Sequence, residues 1–60
     1  MEIKDLLFVT EENTKVEIYD VNSLLWDGVV DMVDFLNDVP YGDYEVCSVG
    51  VSGGILQIHI

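Results

Sequence analysis

One stretch of the sequence matches a catalytic pattern, the G-x-S-x-G of serine hydrolases, in Gly50-Val51-Ser52-Gly53-Gly54. In those enzymes the serine stands on a sharp turn from a strand into a helix, and its acid and histidine partners lie elsewhere in the chain. Here strand-like residues lie on both sides, and the single histidine, His59, follows five residues after the stretch. The glycines therefore predict a hairpin turn rather than a nucleophilic serine.

Side chains that bind metals are too few for a metal site. Zinc sites use three or four Cys and His ligands, whereas the chain has one of each, Cys47 and His59. No loop has the D-x-[DN]-x-[DN]-G spacing that binds calcium. Paired carboxylates could also act as acid and base, as in glycosidases, but a chain of 60 residues offers no cleft for a sugar. We expect no metal, no cofactor and no enzymatic activity.

The charge balance excludes several classes of ligand. Twelve Asp and Glu residues oppose two lysines, Lys4 and Lys15, for a net charge of −10. Proteins bind nucleic acid through Lys and Arg side chains that neutralise phosphates, so nucleic acid is excluded as a direct ligand. Anionic membranes are disfavoured for the same reason. Half of the residues are hydrophobic, which predicts one small folded domain over residues 1–60.

Several absences point to the cytoplasm. The start of the chain lacks the basic and long apolar regions of a signal peptide, and the longest apolar run, Leu6-Leu7-Phe8-Val9, is far too short to span a membrane. Cys47 has no second cysteine with which to form an intramolecular disulfide. Small domains without such a crosslink often gain stability by association, so we expect a homodimer.

The first half of the chain predicts a helix followed by two strands. Residues 3–9 have helical spacing of apolar residues, and Asn13 suits a left-handed turn after them. Strands are predicted over 15–21 and 24–30. Because neighbouring strands in sequence usually pair in space, they are expected to form a hairpin.

The second half repeats this order of elements. Asp31 is a suitable N-cap for a helix over 31–39, and Pro40 ends it. Strands follow over 44–51 and 54–60, with a tight turn at Ser52-Gly53. The apolar stripe of the helix consists of Met32, Phe35, Leu36 and Val39.

These elements predict an α+β fold in the order αββαββ. Two hairpins would form a four-stranded antiparallel sheet, and the two short helices would cover one of its faces. The final strand, Ile55 to Ile60, is apolar and has no Lys or Pro. It would be a sticky edge if left uncovered.

Three aspartates fall on one face of the predicted second helix. Asp31, Asp34 and Asp38 are spaced by three and four residues, and Asp27 would extend the row if the end of its strand lies beside the helix. Such a row resembles a short stretch of nucleic-acid backbone in charge density. Because like charges at this spacing destabilise a helix, we interpret the row as a partner-binding surface; a solvated helix face is the alternative.

Aromatic residues lie next to these acids. Trp26 precedes Asp27, and Tyr41 follows the predicted helix. Aromatic side chains beside carboxylates suit an interface that receives Arg or Lys. Burial in the core is the favoured interpretation of Trp26 in so small a domain; either Trp26 or a tyrosine such as Tyr41 is the expected anchor of a partner.

Three segments carry a resemblance to a known class of proteins: residues 3–7 (IKDLL), 14–20 (TKVEIYD) and 25–28 (LWDG). Together with the closing apolar strand, they resemble short acidic proteins encoded by phages and prophages of low-GC Gram-positive bacteria. Some small acidic phage proteins are inhibitors of bacterial defence systems, including anti-CRISPR proteins, and several of those occupy DNA-binding surfaces. The resemblance implies an origin and a function class, and assigns no role to an individual residue.

Two functions are expected from these observations. The first is a non-enzymatic, DNA-mimicking inhibitor in the bacterial cytoplasm, which blocks a basic nucleic-acid-binding surface of a host defence effector. Its partner-binding residues would be Asp27, Asp31, Asp34, Asp38, Trp26 and Tyr41. The alternative is a structural or assembly module of phage or mobile-element origin that self-associates through its sheet.

Overall fold

A computed structural model describes residues 1–60 and contains two helices and four strands. The order αββαββ and the α+β class predicted from the sequence are confirmed. Neither helix has the length or the apolar run that crossing a membrane requires. The elements are α1 (Ile3–Phe8), β1 (Lys15–Asp20), β2 (Ser23–Val29), α2 (Met32–Phe35), β3 (Ser48–Ser52) and β4 (Ile55–His59).

The sheet has the strand order β2-β1-β4-β3 and is mixed. Both predicted hairpins are present, but they join through β1 and β4, which run parallel, with Ile18 opposite Ile58. The prediction of a purely antiparallel sheet is therefore wrong. Residues 30–47 carry the chain back along the sheet, so that β3 starts at the same end as β2, and a connection of this length permits such a crossover.

The final strand is not an edge of the sheet. β4 lies between β1 and β3, which pair with its two sides. The edges are β2 and β3, and every residue of β3 is exposed. The uncovered apolar edge considered for Ile55 to Ile60 therefore does not exist, and β3 takes the edge position instead.

The core lies between the helices and one face of the sheet. Val16 and Ile18 point into it from β1 because alternate residues of a strand share a face, and both are buried as the sequence predicts. No polar or charged residue is buried. Hydrophobic burial therefore holds the layers together. The buried residues are Ile3, Leu7, Val16, Ile18, Val30, Phe35 and Ile58.

The second helix is shorter than predicted and buries fewer residues. Asp31 caps it as expected, but α2 ends at Phe35 rather than near Val39. Beyond Phe35 the hydrogen-bond pattern becomes irregular: the N–H groups of Asn37 and Asp38, three and four residues on, both donate to the carbonyl of Asp34, at 3.0 Å and 3.1 Å. Asn and Asp are poor helix formers, and the residue before a proline avoids helical geometry. Leu36 is consequently exposed, against expectation.

The strand predicted over 44–51 begins only at Ser48. The preceding segment pairs instead with the start of the chain, where the N–H of Ile3 donates to the carbonyl of Tyr44 at 2.9 Å and that of Val46 to the carbonyl of Met1 at 2.8 Å. The turn after β3 is Gly53-Gly54, one residue later than predicted, because both glycines have positive φ angles, 59° and 78°. Asn13 has a φ of 67°, in the left-handed region predicted for it.

Candidate partner-binding site

A groove of about 430 Å³ lies between α1 and the segment 37–44, which leads from α2 towards β3. Tyr41 and Tyr44 meet edge to face in its wall, with ring centroids 5.6 Å apart. We call this feature the tyrosine groove. Its other aromatic and charged residues are Phe8, Phe35, Lys4, Asp38 and Asp43.

The tyrosine groove brings together two residues proposed from the sequence, Asp38 and Tyr41. Asp43 and Tyr44, which complete the groove, were not among the predicted partner-binding residues. The signal was the stretch Tyr41-Gly42-Asp43-Tyr44, in which two tyrosines flank an acid directly after Pro40. These residues form one site only because α1 packs beside this stretch in the folded protein.

The tyrosine groove already holds one cation of the protein itself. The Nζ atom of Lys4 lies 3.0 Å from Oδ1 of Asp43 and 3.3 Å from Oε1 of Glu2. Hydrogen bonds to Asp43 and then to Glu2 raise the pKa of Lys4 above its ordinary value. The side chains reach solvent, and exposed ion pairs of this kind are weak and exchangeable. Carboxylates at the rim and aromatic rings in the wall can bind an ammonium or guanidinium group.

The three aspartates of the predicted row differ in what they contact. Oδ1 of Asp31 accepts the backbone N–H groups of Val33 at 3.1 Å and Asp34 at 3.3 Å, so this carboxylate caps α2. Asp34 and Asp38 are exposed and one turn apart, and the N–H of Asp38 donates to the carbonyl of Asp34 at 3.1 Å. Their carboxylates are free to face a partner, whereas that of Asp31 is already engaged.

Strand alternation places Trp26 and Asp27 on opposite faces of β2. Trp26 faces the helices, and its ring centroid lies 6.4 Å from that of Phe35. This half-buried packing against the core is the role favoured from the sequence. Asp27 is exposed on the opposite, open face, across from Glu17 of β1. It therefore does not continue the aspartate row of α2.

The open face of the sheet carries a polar cluster that was not predicted from the sequence. Oε1 of Glu17 accepts hydrogen bonds from the hydroxyl of Tyr19 at 2.9 Å and from Nε2 of Gln57 at 3.1 Å. The ring of Tyr19 stacks on His59, with centroids 5.3 Å apart. The hydrogen bond to Glu17, followed by desolvation and the charges of Glu17 and Asp27, raises the pKa of Tyr19. The parallel register of β1 with β4 creates this cluster.

The serine of the hydrolase-like stretch lies far from the histidine. Ser52 is the last residue of β3 and is followed by the predicted glycine turn, while His59 pairs with Ser48 at the other end of the hairpin. Four residues of strand separate these ends by roughly 13 Å. The structure also brings no three His, Cys, Asp or Glu side chains close enough to hold a metal ion.

No protein-family model, curated protein or solved structure matches the chain. The features that point outward for recognition are the tyrosine groove and the free carboxylates of Asp34 and Asp38.

Proposed function

We propose that this protein is a non-enzymatic inhibitor that binds the basic, nucleic-acid-binding surface of a bacterial defence effector. In this respect it would act as some anti-CRISPR proteins do, in the cytoplasm of the host cell. The observation that carries the proposal is the tyrosine groove, which is lined by Asp38, Asp43 and two tyrosine rings and in which Asp43 already binds the ammonium group of Lys4.

An arginine of the partner is the side chain that suits this groove best. A guanidinium group is planar, donates two parallel hydrogen bonds to a carboxylate and stacks on aromatic rings. Tyrosine and arginine are also enriched among the residues that dominate binding energy at interfaces. A partner arginine would lie between the tyrosine rings and Asp38, while Lys4 stays with Glu2 or moves into solvent.

Exposed apolar residues of α2 would complete the contact around the aspartates. Val33 lies on the same short helix as Asp34, Leu36 directly follows that helix, and both side chains project into solvent. Apolar contacts that exclude water strengthen the neighbouring charge pairs of an interface. This surface combines free carboxylates with exposed valine and leucine side chains. Contact with a protein partner would therefore be more favourable for it than contact with water.

The remaining acidic groups would accelerate association. The net charge of −10 creates a long-range field that steers the protein towards a basic surface, an effect that salt screens. A basic surface that binds nucleic acid has the matching sign. Occupation of that surface by this protein would exclude the phosphate backbone and so inhibit the effector.

The test is a binding experiment with a charge-matched control. Immobilised protein is incubated with bacterial lysate at about 0.1 M and about 1 M NaCl, between which the screening length falls from about 10 Å to about 3 Å. We expect capture of a nucleic-acid-binding protein at low salt and its loss at high salt. The Asp34→Lys/Asp38→Lys variant should lose this capture. The control, Glu11→Lys/Asp20→Lys, changes net charge equally at exposed residues away from the groove and should retain most of it.

A second step measures inhibition itself. The captured protein is mixed with its nucleic acid, and the complex is followed by gel shift as the wild-type protein or either double variant is added. Wild type and control should displace the nucleic acid, and the Asp34→Lys/Asp38→Lys variant should not. Equal displacement by all three proteins, or capture without displacement, would contradict the proposal.

Self-association through the sheet, the alternative function, no longer has the final strand as its basis, because β4 is central. The edges available for association are β2 and β3.

A further inference from the structure

One part of the fold has no charged side chain. All twelve acidic residues and both lysines lie within residues 1–45, and residues 46–60 contain no charged side chain. This uncharged segment forms the β3–β4 hairpin. The acidic side chain nearest to it in sequence, that of Glu45, is 3.0 Å from the amino group of Met1. The β3 edge is therefore an uncharged strip on a strongly acidic molecule.

The backbone of β3 has hydrogen-bonding groups that point away from the sheet. Two glycines with positive φ form the two-residue turn after β3, and in such hairpins the flanking pair, here Ser52 and Ile55, exchanges both hydrogen bonds. Alternation along the strand then directs the N–H and C=O groups of Gly50 towards β4. Those of Val49 and Val51 point outward, where no strand covers them.

The residues of β3 read identically in both directions. The strand is Ser48-Val49-Gly50-Val51-Ser52, with Gly50 at its centre. In an antiparallel pair of two such strands about a twofold axis at Gly50, each Val49 faces the Val51 of the other copy. That register satisfies the outward N–H and C=O groups of both valines in each copy.

We propose that the β3 edge binds the β3 edge of a second copy of this chain, antiparallel and centred on Gly50. The result is a continuous eight-stranded sheet. Val49 and Val51 lie on the helix-bearing side, since they pair with Ile58 and Leu56 of β4, so four valines form an apolar cluster across the axis. A twofold axis requires a surface that complements itself, and a palindromic strand provides this.

A second copy fits this edge better than another partner does. Two molecules that each carry a net charge of −10 repel each other wherever their acidic surfaces meet. At the uncharged strip they can approach without bringing like charges together. A basic partner would gain no carboxylate contact there. The dimer does not depend on the inhibitor function, because the tyrosine groove is formed by α1 and residues 37–44.

A symmetric disulfide tests the register. In a Cys47→Ser background, Gly50→Cys places two cysteines opposite each other in a non-hydrogen-bonded pair, at a Cα separation of about 4.5 Å that a disulfide can span. A Cβ atom at residue 50 meets no atom within 4 Å, so the backbone there leaves room for a side chain. We expect crosslinked dimer under mild oxidation. Ser48→Cys in the same background is the control, because its two copies would be roughly 13 Å apart along the strands.

Sedimentation velocity tests the edge without cysteine. Val51→Glu should weaken self-association by roughly tenfold or more, since it places two carboxylates in the uncharged strip. Val33→Glu is the control, because Val51 and Val33 are 73% and 72% exposed and both substitutions add one negative charge. Wild type and control should dimerise more as salt rises. A wild type that stays monomeric at millimolar concentration and high salt, a dimer that both variants weaken equally, or crosslinking of Ser48→Cys to the extent of Gly50→Cys would overturn the proposal.

Discussion

The indole ring of Trp26 lies against Gly28, so that a Cβ atom at residue 28 would be 2.6 Å from Cζ2 of Trp26. Both residues are on the helix-facing side of β2, two positions apart. A large ring that covers a glycine on an edge strand replaces the missing side chain and shields the backbone. Trp26 therefore reaches Phe35 and closes the core at this edge because residue 28 has no side chain.

Gly28→Ala is expected to lower the free energy of unfolding by about 1–3 kcal/mol, because the added methyl group must displace the ring of Trp26. Gly50→Ala is the control, since a methyl group there meets nothing within 4 Å, and should change stability by less than about 0.5 kcal/mol. Urea unfolding at low protein concentration, followed by tryptophan fluorescence, measures both. Equal effects of the two substitutions would contradict the packing described here.

The turn between β1 and β2 contains a strained residue. Val21 has a φ of 57°, a conformation that a β-branched side chain tolerates poorly. Val21→Gly should therefore raise the free energy of unfolding by roughly 0.5–1 kcal/mol, with the relief of strain exceeding the extra chain entropy of glycine. Val9→Gly is the control. Val21 and Val9 are similarly exposed, at 76% and 78%, but Val9 has an unstrained φ of −103°. It should give no gain in thermal or urea unfolding.

The cap of α2 offers a test of local stability. Asp31→Ala removes the acceptor of two backbone N–H groups and is expected to cost about 1 kcal/mol. Asp31→Asn keeps a side-chain oxygen at the same position and should cost much less. Chemical unfolding of both variants separates the hydrogen-bonding role of Asp31 from its charge. A loss in Asp31→Asn as large as that in Asp31→Ala would show that the charge matters more.

Because of Tyr19, the free energy of unfolding should depend on pH in the alkaline range. Its pKa is raised in the fold, mainly by the hydrogen bond to Glu17, so the folded state holds this proton where the unfolded chain has lost it. Stability from this group is complete below the ordinary tyrosine pKa and is lost as pH rises from there through the raised pKa. The difference in unfolding free energy between wild type and Tyr19→Phe should show this decline.

Replacement of Glu17 tests the cause of the shift. Glu17→Gln keeps a carbonyl acceptor but removes the charge, so the pKa of Tyr19 should fall towards its ordinary value. Proton NMR of the Tyr19 ring as a function of pH measures it directly. Asp20→Asn removes an exposed carboxylate that contributes nothing to the shift, and the pKa of Tyr19 should stay raised in this control.

Local features of the fold were predictable because they depend on neighbouring residues. Alternation of Val16 and Ile18 with polar residues predicts β1 and its buried face, and both side chains are buried. Asp31 predicts a helix start, since a cap requires a suitable oxygen at one position. The glycines after Val51 predict a turn because glycine adopts positive φ without strain, although the turn lies at Gly53-Gly54, one residue later than the predicted Ser52-Gly53.

The sequence by itself determined the order of elements, the buried face of β1 and the excess of negative charge. The tertiary structure decided which strands meet and in which direction. Period-two alternation is the same in parallel and antiparallel strands, so the parallel pairing of β1 with β4 left no local signal. That pairing places Glu17 beside Gln57 and leaves β3 at the edge. The packing of α1 beside residues 37–44 likewise forms the tyrosine groove, because its walls come from segments that are distant in sequence.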